Sequence, residues 1–237
     1  MRVARLFPPR RGTPACLLTV FLALFVCLAA CKADEPREVS FQSTDGVSLK
    51  GTLFGKGPAA GVILGHMYPA DQKSWFGFAR KLADQGYAAL AFDFRGYGES
   101  GGEKTIGRID KDLEGALLFL EPQVKRIFLI GASMGGTASI QVASRKKVAG
   151  VVSLSGPVAF QGLDARRAIK EVGAPILLIA AEGDAPAAEA ARWFDREAVS
   201  PKTLMLLPGA EHGTNLFGGT AGRKVEEAIF RFLAEQG

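Results

Sequence analysis

The sequence predicts an α/β fold: a mostly parallel, twisted sheet with helices on both faces and an antiparallel hairpin on its N-terminal side. Three observations carry that expectation. From about residue 60 onward, short apolar runs of buried-strand length alternate with segments of helical period. Before them, Asp45-Gly46 separates two strand-like runs in the manner of a hairpin turn. Finally, Ile127-Phe128-Leu129-Ile130 runs straight into Gly131-Ala132-Ser133-Met134-Gly135, an apolar strand ending in G-x-S-x-G at the head of a helix.

The elements follow in order. Residues 39–44 and 47–54 form the hairpin, and Gly55-Lys56-Gly57-Pro58 breaks the pattern after it. Apolar runs at 60–64, 87–92, 126–130, 148–154, 175–181 and 203–207 read as strands. Their near-continuous hydrophobicity suits a sheet buried on both faces. Between them, 74–85, 105–120, 134–144, 187–198 and 222–235 have helical period. In 105–120, for example, Ile106, Ile109, Leu113, Leu117 and Leu120 recur at spacings of three and four on one face. A further helix is expected at 164–171.

The first thirty residues stand apart from the fold. Residues 1–14 carry Arg2, Arg5, Arg10 and Arg11 with no acid, and the 16 residues 15–30 are almost wholly apolar. A basic n-region, a short h-region and small residues at its end make a secretory signal. Sixteen residues fall short of the roughly 20 that cross a bilayer, and Gly12-Thr13-Pro14 suits a twin-arginine signal poorly. Leu28-Ala29-Ala30-Cys31 resembles a bacterial lipobox, in which Cys31 is lipidated and becomes the mature N-terminus. Residues 1–30 are thus a lipoprotein signal peptide, 31–38 a lipidated tether and 39–237 the folded domain. Lys32 replaces the aspartate associated with inner-membrane retention. In a Gram-negative cell this points to the periplasmic side of the outer membrane.

Removing the signal changes the charge and cysteine arguments. The chain has 29 basic and 24 acidic residues; without the four arginines of 1–30 the balance is 25 against 24. Net charge therefore gives no reason to expect a nucleic-acid partner. Cys16 and Cys27 leave with the signal, so Cys31 alone remains and no internal disulfide is available. Nothing in the sequence fixes an oligomeric state.

Ligands of such sheets bind beyond the carboxyl ends of the strands. Those ends carry Gly65-His66-Met67-Tyr68, Asp93-Phe94-Arg95-Gly96, Ser133, Ser155-Gly156, Glu182-Gly183-Asp184 and Glu211-His212. A serine hydroxyl needs a base to take its proton and return it to the leaving group, and imidazole suits neutral pH. The chain has two histidines. His212 lies on a loop able to reach over Ser133, whereas His66 at a strand end suits a role holding its loop through backbone hydrogen bonds. Asp184 is the acid expected to orient His212, with Glu182 in reserve and helix capping as Asp184's alternative role. Neither a metal nor a cofactor is expected, because no clustered His, Cys or acidic ligand spacing occurs.

The order Ser133, Asp184, His212 on strand–helix units of this spacing resembles that of the α/β-hydrolase superfamily, and the resemblance covers 39–237. Asp93-Phe94-Arg95-Gly96-Tyr97-Gly98-Glu99-Ser100 resembles its D-x-R-G-x-G-x-S segment, and 131–135 resembles its nucleophile turn. Gly65-His66-Met67-Tyr68 takes the place of its oxyanion loop, with Met67 where a glycine is commoner. The resemblance implies Ser133 as nucleophile, His212 as base, Asp184 as orienter, and the backbone N–H groups of Tyr68 and Met134 as oxyanion donors. Arg95 is expected in a loop-fixing ion pair.

Lipases and many esterases of the superfamily insert a cap where this chain has only residues 155–174. An open site without a sizeable lid follows, similar to dienelactone-hydrolase-like and small carboxylesterase-like members, with Phe160 and Leu163 as candidate walls or, as is commoner for apolar residues there, simple packing. A small-molecule carboxylic ester is the expected substrate. Two other readings stay open: a prolyl-oligopeptidase-like peptidase, and a non-catalytic envelope lipoprotein on the same fold.

Overall fold

The structure is a computed structural model that describes residues 35–236. The expected signal, lipobox and Cys31 lie outside the described residues. In chain order the elements are β1 (Arg37–Gln42), β2 (Ser48–Phe54), β3 (Gly61–Gly65), α1 (Phe76–Asp84), β4 (Ala88–Phe92) and α2 (Ile109–Leu120). Then come β5 (Ile127–Ala132), α3 (Met134–Ala143), β6 (Gly150–Leu154), β7 (Ala159–Phe160), β8 (Leu163–Asp164) and α4 (Ala168–Glu171). The last are β9 (Ile176–Ala181), α5 (Ala185–Glu197), β10 (Lys202–Leu207) and α6 (Gly222–Glu235).

Eight strands form one sheet in the order β1-β2-β4-β3-β5-β6-β9-β10. β1 and β2 pair antiparallel, and β2 pairs antiparallel with β4. From β4 to β10 every pairing is parallel. Successive side chains of a strand point to opposite faces, so each central strand feeds two cores. Ile63, Leu129, Val151 and Leu178 pack with Leu113, Ile140 and Phe194 of α2, α3 and α5. Their neighbours Val62, Leu64, Phe128, Ile130 and Ile179 pack with Phe78 and Leu82 of α1 and Val225 and Ile229 of α6. Every described residue of both cores belongs to residues 33–237, which make one compact unit.

The structure departs from the sequence expectation at three helix starts. Two begin as 3-10 turns, Gln72–Trp75 ahead of α1 and Ile106–Arg108 ahead of α2. In the first, Asp71 accepts from the Lys73 N–H at 2.8 Å and caps the tighter turn. The helix expected at 164–171 is shorter, with α4 confined to Ala168–Glu171. Asp164 instead ends a small ribbon with β7, its carboxylate accepting from the Arg166 N–H two residues on at 2.9 Å. Such a local side-chain turn competes with helix initiation.

Candidate active site

Ser133 stands alone between the last residue of β5 and the first of α3, with φ 51° and ψ −118°. A non-glycine residue in this region costs about 1–3 kcal/mol, and the surroundings must hold it there. They do so through the backbone. The Ser133 N–H donates to the Leu154 carbonyl at 2.8 Å, and its own carbonyl accepts from Gly136 at 2.9 Å and Thr137 at 3.2 Å. The glycines that frame the motif are demanded by close approach. A Cβ on Gly131 would strike the backbone of Gly135, and one on Gly135 would strike the Gly65 carbonyl. The turn is thereby pressed against the end of β3. Ser133 is 8% exposed, and its Oγ makes no hydrogen bond among the described residues.

Asp184 and His212 come together from the ends of β9 and β10. His212 Nδ1 lies 2.6 Å from Asp184 Oδ2. Asp184 occupies the position preceding α5 but makes no side-chain cap there; its carboxylate is directed to the imidazole instead. Glu182 is exposed and forms no bond to the ring. The His212 side chain is 41% exposed and that of Asp184 13%, so the ring is supported from the protein side and open on the other. No hydrogen bond joins Ser133 to His212 among the described residues. Such contacts are often long without substrate.

The loop after β3 is fixed by His66. Its Nε2 accepts from the Phe94 N–H at 3.1 Å, which leaves Nδ1 to donate to the Met67 carbonyl at 3.0 Å. The ring is fully buried between Phe94 and Tyr97. Burial holds its basicity below the ordinary histidine range. His66 therefore ties the end of β3 to the end of β4 and takes no part in the Asp184–His212 pair.

Met67 packs beneath the histidine loop. A Cβ on Gly213 would lie 2.7 Å from Met67 Sδ, and Thr214 Oγ1 donates to the same sulfur at 3.6 Å. Tyr68 is 47% exposed, its ring 6.0 Å from that of Phe160. Met134 is the first residue of α3, so the helix itself leaves its N–H unused. Of the two candidate walls, Phe160 faces Tyr68, whereas Leu163 is 1% exposed and belongs to the core. Leu163, the first residue of β8, thus takes the packing role that the sequence also allowed.

The segment after β4 is a polar scaffold. Arg95 donates to Asp112 (2.6 and 2.9 Å) and to Asp45 (2.6 and 3.0 Å). Its side chain is 5% exposed and Asp112 is fully buried. The Arg95 hydrogen bond holds the Asp45 carboxyl well below the usual carboxylate range, and both acids raise the Arg95 pKa despite burial. Arg95 is therefore committed to the loop. Asp93 accepts from the Gln72 N–H at 2.8 Å, from Gln72 Nε2 at 2.9 Å and from the Glu99 N–H at 3.1 Å. Sequence reasoning missed Gln72, Asp45 and Asp112 as partners, since each arrives from a distant element with no local motif.

Residues 62–172 match the family described as the alpha/beta hydrolase fold. An uncharacterized protein of Mycobacterium tuberculosis is 30% identical, with the match covering 84% of this chain and 79% of the relative. The chain belongs to the α/β-hydrolase superfamily. Among solved structures, this α/β-hydrolase is similar to the Pyrococcus furiosus esterase Pf2001, at TM-score 0.74 and 22% identity over 85% of this chain and 90% of that one. The dienelactone hydrolase of Anabaena variabilis gives TM-score 0.71 and 24% identity over 84% and 98%. A monoacylglycerol lipase of Paleococcus ferrophilus gives 0.71 and 21% over 80% and 99%. At these identities the structures share the fold.

Proposed function

We propose that this α/β-hydrolase is a serine esterase that cleaves small carboxylic esters in an open, lidless site. Ser133 Oγ attacks the ester carbonyl while His212 Nε2 takes its proton. Asp184 keeps the other ring nitrogen protonated and offsets the imidazolium charge. The Met134 and Tyr68 N–H groups receive the oxyanion. Collapse of the tetrahedral adduct breaks the bond to the alcohol, which leaves with the proton from His212. Water then attacks the acyl-enzyme, giving its proton to His212 and releasing the acid and Ser133.

The observation that carries this reading is the 2.6 Å Asp184–His212 pair on the same sheet edge as a serine held at positive φ. The short connection after β6, with only a two-residue ribbon and one turn of helix, supports the absence of a lid. Esterase, dienelactone hydrolase and monoacylglycerol lipase structures of the same fold favour ester chemistry. The reading extends to location: an exported chain, tethered through a lipidated Cys31 and working in the cell envelope.

Ser133→Ala tests the nucleophile. Turnover of p-nitrophenyl butyrate should fall by about 10⁴-fold or more, and labelling by a fluorophosphonate probe should vanish, with the melting temperature unchanged. Activity within tenfold of the parent would remove Ser133 from the mechanism.

A further inference from the structure

The near-balanced charge of the chain hides an uneven distribution. At the amino ends of the central strands, the edge opposite Ser133, Lys125 and Arg126 precede β5, and Lys146 and Lys147 precede β6. None of the four side chains has an ion-pair partner among the described residues. Arg145 beside them is engaged by Asp110 at 2.7 Å and by Glu114 at 2.5 Å. Three of the four cations border a groove of about 420 Å³ whose floor is apolar: Leu117, Val124, Val148 and Ala149, with Glu121 on its rim. The carboxyl ends of the strands carry both signs instead, Asp93, Glu182, Asp184 and Glu211 beside Arg95, Lys73 and Lys104.

The topology adds a second, independent observation. β1 is antiparallel to β2, and β2 is antiparallel to β4, so β1 runs in the same direction as the parallel strands. The chain therefore comes into the fold at the same amino-terminal edge that holds the basic groove.

We propose that this edge is a docking surface for a bilayer rich in anionic phospholipid. The cations meet headgroup phosphates, the apolar floor meets the glycerol–acyl boundary, and the catalytic edge faces away from the membrane. Six residues of β5 at about 3.3 Å each set Ser133 on the order of 20 Å above the surface. Basic residues near an anionic leaflet are attracted within a Debye length, and the attraction weakens with salt. A basic rim around an apolar floor fits lipid better than nucleic acid, which would reward aromatic stacking; no aromatic side chain lines the groove. The proposal needs neither the esterase reading nor lipidation.

The test uses the full chain and, beside it, residues 33–237, the compact unit that holds every described residue of both cores. The measurement is co-flotation with vesicles of phosphatidylcholine alone or with 30% phosphatidylglycerol. Binding is expected only to the anionic vesicles, falling at least tenfold between low and physiological salt. Replacing Lys125, Arg126, Lys146 and Lys147 together by Gln should abolish it, at about fivefold per charge. The pair Lys73→Gln and Lys104→Gln, on the other edge, should leave binding unchanged. Should the fourfold variant fail to fold, Lys147→Gln alone must still weaken flotation several-fold. Salt-independent binding, binding that survives the four changes, or tighter binding to a single-stranded oligonucleotide than to the vesicles would overturn the proposal. Esterase turnover, measured separately, is expected to be the same in all these variants.

Discussion

Asp184→Asn is the substitution that most sharply tests the assembly of the site. The exchange keeps the size of the side chain and removes its charge. In the structure Asp184 Oδ2 lies 2.6 Å from His212 Nδ1, with the carboxylate 13% exposed. As the ring takes the serine proton, a positive charge develops roughly 4 Å from the carboxylate. At an effective dielectric constant near 20, that attraction is about 4 kcal/mol. Its loss raises the barrier by a similar amount and slows turnover by about 10³-fold; an amide that also selects the wrong ring tautomer extends this toward 10⁴-fold. The assay is kcat for p-nitrophenyl butyrate at neutral pH, beside Glu182→Gln as the alternative acid. Fold stability should hold, because Asp184 makes no cap bond to α5; the melting temperature should move by less than about 3 °C. If Asp184→Asn stays within tenfold of the parent, or Glu182→Gln loses more, the assignment of the orienting acid is wrong.

Two further outcomes are expected. Arg95→Met strands the fully buried Asp112 carboxylate at a cost of about 3–5 kcal/mol, lowering the melting temperature by roughly 6–20 °C; the double variant with Asp112→Leu should recover at least half, and an unaltered Arg95→Met melt would refute the account. His66, kept neutral by burial, binds its proton more readily in the unfolded chain, so its contribution is full above about pH 6.5 and is lost as pH falls below it. Urea titrations at pH 7.5 and 5.5 should show a loss of up to about 1.4 kcal/mol per pH unit that His66→Gln removes, and equal slopes in both proteins would count against this.

Local signals made much of the molecule legible. The strands of the parallel sheet are short apolar runs, and burial on both faces is what their composition requires. The motif around Ser133 could be read because Gly131 answers a steric demand within five residues, although the one on Gly135 comes from Gly65 on another strand. Asp184 and His212 were readable only by position at strand ends, which depends on the order of elements more than on any neighbour. What escaped was long-range: that Gln72 would hold Asp93, that Asp45 and Asp112 would share Arg95, and that Met67 would pack under Gly213 and Thr214. The shortening of α4 escaped for a local reason. Periodicity over eight residues gives no warning that Asp164 will satisfy the Arg166 N–H and turn the chain.

The members of the site do not stand on equally firm ground. Ser133 follows β5, which has a strand on either side of it and cores above and below. His212 follows β10, the outermost strand, which pairs only with β9 and is exposed at Lys202 and Thr203. Edges open at lower free energy than sheet centres. On warming, the imidazole therefore departs while the serine turn is still intact, and turnover fades ahead of the cooperative melt. If Ser133 and His212 act together as proposed, the lifetime of the assembled site is expected to be set at the margin of the sheet, by the β9–β10 ladder.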